Sequence, residues 1–140
     1  MITQGQLKVL TKTFKTNEST ILREYLQLIF LNTLYSFPNS QNIVFKGGTA
    51  IHLVFKAPRF SEDLDFTVVM DPQDFEILIQ RVFTSLKSEG FAFKLRPTPA
   101  GSRFLLTHTL VNSKYTTYIN LDFSFREKVF QPQNAIIKTT

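Results

Sequence analysis

The segment from Ile43 to Val69 constrains the chain more than any other. It opens on three apolar residues suited to a strand (Ile43, Val44, Phe45) and bends at Gly47-Gly48. Helical apolar spacing follows (Ala50, Ile51, Val54, Phe55) and stops at Pro58. The chain then reads as a second strand in which Asp63 and Asp65 alternate with Leu64 and Phe66. Strand side chains alternate between faces, so both carboxylates point one way and both apolar residues the other. A strand, a glycine bend at a helix N-terminus and a second strand offering paired acids make a place to hold divalent metal and phosphate together.

The phosphate half of that reading rests on Gly47, Gly48 and Thr49. Glycine lets the backbone take positive φ and lets a ligand approach the chain. The first amides of a helix starting near Thr49 have no intrahelical partners and can donate to anionic oxygens. The metal half rests on charge, because Mg²⁺ prefers hard oxygen ligands, a few of them carboxylates and the rest substrate phosphates. Each feature alone is common: Asp-x-Asp arises by chance, and Gly-Gly is usually only a turn. His52, with no second His or Cys at ligand spacing, reads as a surface or packed histidine.

A third acid makes the combination specific. From Phe91 the apolar period becomes two, with Phe91, Phe93 and Leu95 alternating with Ala92, Lys94 and Arg96. Pro97 to Ser102 then reads as a turn. Arg103–Val111 and Tyr115–Phe125 read as an antiparallel hairpin through Asn112-Ser113-Lys114. In the last strand Ile119, Leu121, Phe123 and Phe125 share one face, and Tyr118, Asn120, Asp122 and Ser124 the other. A carboxylate in mid-strand is costly to bury unless paired or bound to a cation. The flanks of Asp122, Leu121 and Phe123, mirror those of Asp65, as though two strands offered acids on one face. The structural alternative is an ion pair from Asp122 to Arg103 or Arg126. His108 reads as structural or exposed.

The remaining segments read as scaffold. Residues 4–15 form a weakly amphipathic helix, with Leu7, Leu10 and Phe14 on one side and Lys8, Lys12 and Lys15 on another. Asn17 is placed as an N-cap for a helix to about Tyr35, apolar over more than one face and therefore buried. Asp71-Pro72 opens an amphipathic helix that runs to Ser88, with Gly90 as its stop.

Composition narrows the classes. Fifteen Phe and no Trp point to a phenylalanine-packed core. With no cysteine, disulfides, thiolate metal sites and cysteine nucleophiles are excluded, and a reducing cytosol fits. Met1 to Phe14 lacks the continuous apolar core of a secretory signal. The most apolar run, Leu26 to Leu34, is too short to span a bilayer. Seven of the sixteen Lys/Arg but only two of the eleven acids, Asp122 and Glu127, lie in residues 90–140. That basic third suits either a polyanionic partner or an ordinary solubilising surface. Walker A, GxGxxG, HExxH and GxSxG patterns are all missing.

Lys46-Gly47-Gly48-Thr49-Ala50, followed by Arg59-Phe60-Ser61-Glu62-Asp63-Leu64-Asp65-Phe66, resembles the signature of the AbiEii/AbiGii abortive-infection toxin family. These are nucleotidyltransferase-like proteins of the DNA polymerase beta superfamily, and the likeness spans residues 18 to 127. The resemblance implies an α+β (α/β) fold, a nucleotidyltransferase-like mixed β-sheet of about five strands with helices packed on one face. It implies one nucleotidyltransferase-like domain over residues 1–140, without the helical C-terminal half typical of the family. The expected activity is metal-dependent transfer of a nucleoside monophosphate from an NTP to a hydroxyl, on RNA such as tRNA. The expected setting is a bacterial toxin–antitoxin or phage-defence system in the cytoplasm, with a cognate antitoxin and no membrane partner.

Asp63, Asp65 and Asp122 are then the expected catalytic residues and ligands of Mg²⁺ or Mn²⁺. Lys46, Gly47, Gly48, Thr49, Arg59 and Ser61 are the expected nucleotide-binding residues. Lys46 also reads as facing outward or pairing with Glu62, and Ser61 as orienting Asp63. Two readings from other classes stand beside the enzyme: a nucleotide- or RNA-binding module without turnover, and a domain whose site a partner chain completes.

Overall fold

The structure, a computed structural model, describes residues 3–14, 18–47, 63–98, 101–110 and 116–125. Helix α1 (Gln4–Phe14) leads to helix α2 (Glu18–Leu34), a 3-10 turn at Ser40–Asn42 and strand β1 (Ile43–Lys46). Strand β2 (Leu64–Val68), helix α3 (Pro72–Lys87), and strands β3 (Phe91–Thr98), β4 (Gly101–Thr109) and β5 (Thr116–Phe125) complete the order. The five strands form a single mixed sheet in the order β1-β2-β5-β4-β3. Its central pair, β2 and β5, is parallel, and the other pairs are antiparallel. A parallel pair needs a long crossover, and α3 with the β3–β4 hairpin supplies it.

Local chemistry sets the elements. At the start of α3 the Asp71 side chain accepts from the Gln73 amide at 2.8 Å, and Pro72 occupies the first turn, where its missing N–H costs nothing. Phe75, Leu78, Ile79, Val82, Phe83 and Leu86 are the buried stripe of that helix, at the spacing of one helical face. Pro97 lies within β3 rather than in a turn, and β4 begins at Gly101. β3 is an edge strand, where proline is tolerated because a ladder donor is dispensable on the open side. The apolar alternation of β3 also fades outward: Phe91 is buried, Phe93 is partly buried, and Leu95 is 50% exposed.

Alternation along the strands splits the sheet into two faces. On one, Phe30 of α2 meets Phe66 edge-on at 6.3 Å and also contacts Phe83 and Phe93. Phe75 of α3 contacts Phe123 and Phe125, and Phe66 stacks on Phe123 at 4.8 Å. Helices α2 and α3 therefore cover the same face, and the phenylalanines are the mortar between layers. The opposite face carries Lys46, Asp65, Asn120, Asp122, Arg103, Arg96 and Tyr118. Tyr118 is among the exposed large side chains there. His108 belongs to the helix side: it is buried, and its Nε2 lies 3.0 Å from the Glu89 carbonyl oxygen. A carbonyl only accepts, so Nε2 carries the proton in that contact. Among the described residues no helix is long and apolar enough to cross a membrane.

Candidate active site

The register of the sheet builds the site. Lys46 of β1 pairs with Asp65 of β2, Asp65 with Asp122 of β5, Asp122 with Arg103 of β4, and Arg103 with Arg96 of β3. Directly paired residues put their side chains on the same face, so one charged row crosses all five strands. Its two carboxylates sit side by side at the centre, with a cation on each flank. Asp63 immediately precedes β2, two residues from Asp65 and so on the same side, and its Oδ1 accepts from Asn120 Nδ2 at 3.2 Å. The acids are thus brought together although Asp122 is 57 residues beyond Asp65. Main-chain pairing does this, and no contact near in sequence could.

The glycine bend closes against these acids. Gly47 has φ +87°, and a Cβ added there would stand 2.7 Å from Asp65 Oδ2. Both the left-handed backbone and the close approach of the carboxylate call for glycine. Gly48, Thr49, Arg59 and Ser61, like the short helix expected after the bend, lie outside the described residues.

Electrostatics follow from the crowding. Burial holds the Asp65 carboxyl above its usual range, and the neighbouring Asp122 and Asp63 charges raise it further, opposed by Lys46 and Arg103. Asp122 is held by its other neighbour: Arg103 Nη2 donates to Asp122 Oδ2 at 2.9 Å. That hydrogen bond, together with the Asp122 charge, raises the Arg103 pKa, and Asp63 and Asp65 add to the effect. The ion pair open to Asp122 on sequence grounds is therefore made, and made to Arg103. Lys46 lies in register with Asp65. Asn120 is the site residue to which sequence reasoning gave no role. Its signal was present, since it stands two residues before Asp122 as Asp63 stands two before Asp65.

Among the described residues no three His, Cys, Asp or Glu side chains are gathered into a ready cation cage. The donor chemistry nevertheless fits a divalent ion. Hard carboxylate oxygens come from adjacent strands, and a shared cation would relieve both the burial of the Asp65 charge and its repulsion by Asp122 and Asp63. Such an ion would share Asp122 with Arg103, which already holds Oδ2.

A five-stranded mixed sheet with helices on one face and strand acids beside a glycine bend is a nucleotidyltransferase-like fold. Solved structures carry the same architecture. JHP933 from Helicobacter pylori matches with a TM-score of 0.64 and 25% identity, over 87% of this chain and 50% of that one. A structure from H. pylori presented as a candidate nucleotidyltransferase matches with a TM-score of 0.58 and 25% identity, over 87% of this chain and 55% of that one. MenT4, a nucleotidyltransferase toxin from Mycobacterium tuberculosis, shares the fold at 22% identity and a TM-score of 0.55, over 76% of this chain and 38% of that one. The chain spans about half the length of the first two. No curated protein matches it. Residues 29–139 match the AbiEii family model, described as nucleotidyl transferase toxins of type IV toxin–antitoxin systems, and the chain belongs to that family.

Proposed function

We propose that this chain carries the catalytic half-site of a metal-dependent nucleotidyltransferase toxin. The observation that supports this most is the register that sets Asp65 beside Asp122 on one face, with Asp63 and the Gly47 bend against them. In the proposed reaction an acceptor hydroxyl oxygen attacks the α-phosphorus of an NTP. The bond from that phosphorus to the α,β-bridging oxygen breaks, and pyrophosphate leaves with the electron pair. Asp122 takes the hydroxyl proton as the new P–O bond forms. Asp63, Asp65 and Asp122 would hold Mg²⁺ or Mn²⁺, which when bound polarises the phosphoryl group and neutralises the leaving pyrophosphate. Positioning and charge neutralisation are the main needs of phosphoryl chemistry, and acids on a rigid sheet suit both.

Gly47, Gly48 and Thr49 would cradle the triphosphate through backbone amides, with Lys46 and Arg59 neutralising it and Ser61 steadying Asp63. The acceptor on this reading is RNA, with tRNA the class that the family suggests. The basic last third supports a polyanion. A toxin of this family would act in the cytoplasm beside a cognate antitoxin. The hold of Arg103 on Asp122 favours one rival, a module that binds nucleotide or RNA without turnover.

Incubation with α-labelled NTPs, Mg²⁺ and total RNA separates the readings. Label on RNA that is lost in Asp65→Asn supports the transferase. Binding of NTP or RNA with no label transferred supports the module. Transfer that begins only when a second chain is added would mean that a partner completes the site.

A further inference from the structure

We propose that Arg103 couples cation binding to polyphosphate binding, by occupying Asp122 until a polyphosphate draws the guanidinium away. This rests on the metal-site reading above and gives one residue of the sheet a positioning role within it. Arg103 Nη2 sits 2.9 Å from Oδ2 of Asp122, the carboxylate that a cation between β2 and β5 would share. The guanidinium takes up part of the charge and lone-pair capacity of that carboxylate, and the two positive groups repel. A bare divalent cation therefore binds against the Arg103 contact, in competition with it for the Asp122 charge.

The other side of Arg103 explains where it goes. Its register partner on β3 is Arg96, a like charge directly opposite, which destabilises that cross-strand pair. Paired in register, the two residues put two positive charges on the face that carries the acids. A polyphosphate chain satisfies both at once, through the bidentate geometry that guanidinium offers to phosphate. The Arg103 side chain is 46% exposed, so its swing needs no repacking of the core. A polyphosphate that takes Arg103 releases Asp122 to the metal, and by linkage the metal then strengthens polyphosphate binding by the same factor. The arrangement guards the acids from cations that arrive without nucleotide.

The test measures Mn²⁺ binding to the full chain by the resonance signal of free Mn²⁺, with no nucleotide present. Binding of inorganic tripolyphosphate is measured separately in metal-free buffer. Arg103→Gln is expected to tighten Mn²⁺ binding about two- to fivefold, the worth of an exposed ion pair. The same variant is expected to weaken tripolyphosphate binding by about three- to tenfold. Lys87→Gln, an equal charge change at the end of α3, is expected to leave both unchanged. Arg103→Lys, which keeps the charge and loses the fork, should fall between and serves if Arg103→Gln does not fold. Unchanged or weaker Mn²⁺ binding in the Arg103 variants, while Asp122→Asn weakens it, overturns the coupling and leaves the metal site standing. If Asp122→Asn itself leaves Mn²⁺ binding unchanged, the metal-site reading falls, and the coupling falls with it.

Discussion

Asp65→Asn is expected to make the protein more stable while removing its activity. The substitution keeps the shape but deletes a charge that is partly buried and repelled by Asp122 and Asp63. Neighbouring strands lie about 4.8 Å apart, so about 5 Å is the scale of separation for side chains paired in register as Asp65 and Asp122 are. One such like-charge pair costs about 0.8 kcal/mol at the dielectric of water and about 3 kcal/mol at an effective value near 20. Asp65 is half-buried, between these limits, and Lys46 and Arg103 offset part of the repulsion from Asp122 and Asp63. A net gain of about 0.5–1.5 kcal/mol at neutral pH follows after allowance for solvent screening, or about 2–5 °C in Tm.

The sign with pH is fixed as well. The folded Asp65 carboxyl is raised above its ordinary value of 3.8, so the native state holds its proton longer than the unfolded chain. The penalty is complete above the raised folded value and is gone below the ordinary one. The Tm difference between Asp65→Asn and the parent should therefore be largest near neutrality and close as pH falls into the carboxylate range. Differential scanning calorimetry of both proteins across pH 4–8 measures it. A lower Tm for Asp65→Asn at neutral pH would mean that the ionised carboxylate stabilises the fold through Lys46, and the crowding account would be wrong.

Other perturbations read different parts of the structure. Phe123→Ala removes a fully buried ring that stacks on Phe66 and meets Phe75, and urea unfolding should show a loss of about 3–5 kcal/mol. Gly47→Ala forces a side chain into the left-handed region and toward Asp65 Oδ2; about 1–2 kcal/mol of stability should go, and Mn²⁺ affinity should fall with it. Burial lowers the His108 pKa, so the unfolded chain takes up that proton first and stability declines as pH drops from about 7 through the lowered value. His108→Gln should flatten the slope of Tm against pH over that window, whatever it does to Tm itself.

Much of this was legible in the sequence where periodicity speaks. The Asp71-Pro72 start of α3, its buried stripe and the β4–β5 hairpin follow from spacing and capping chemistry that act within a few residues. The common face of Asp63 and Asp65 is likewise local, a consequence of strand alternation. That Asp122 lies beside Asp65 rather than elsewhere on the sheet is a fact of strand order, which no local pattern encodes. Leu121 and Phe123 flanking Asp122 hinted at it by echoing Leu64 and Phe66. Pro97 looked like a turn residue because proline breaks central strands, and only its place on an edge lets β3 continue through it. The choice of Arg103 as the ion-pair partner of Asp122 needed the β4–β5 register, which the hairpin assignment left unset. Gly48, Thr49, Arg59 and Ser61 rest on their sequence pattern and family likeness alone.

The central claim is that acids from β2 and β5 share a cation beside the glycine bend. Crystals grown with Mn²⁺ and a non-hydrolysable NTP analogue, measured at a wavelength where manganese scatters anomalously, test it most directly. The expected result is an anomalous peak within ligand distance of both Asp65 and Asp122, with the triphosphate alongside Gly47. A nucleotide bound with manganese at some other surface, and no peak between those two strands, would contradict it.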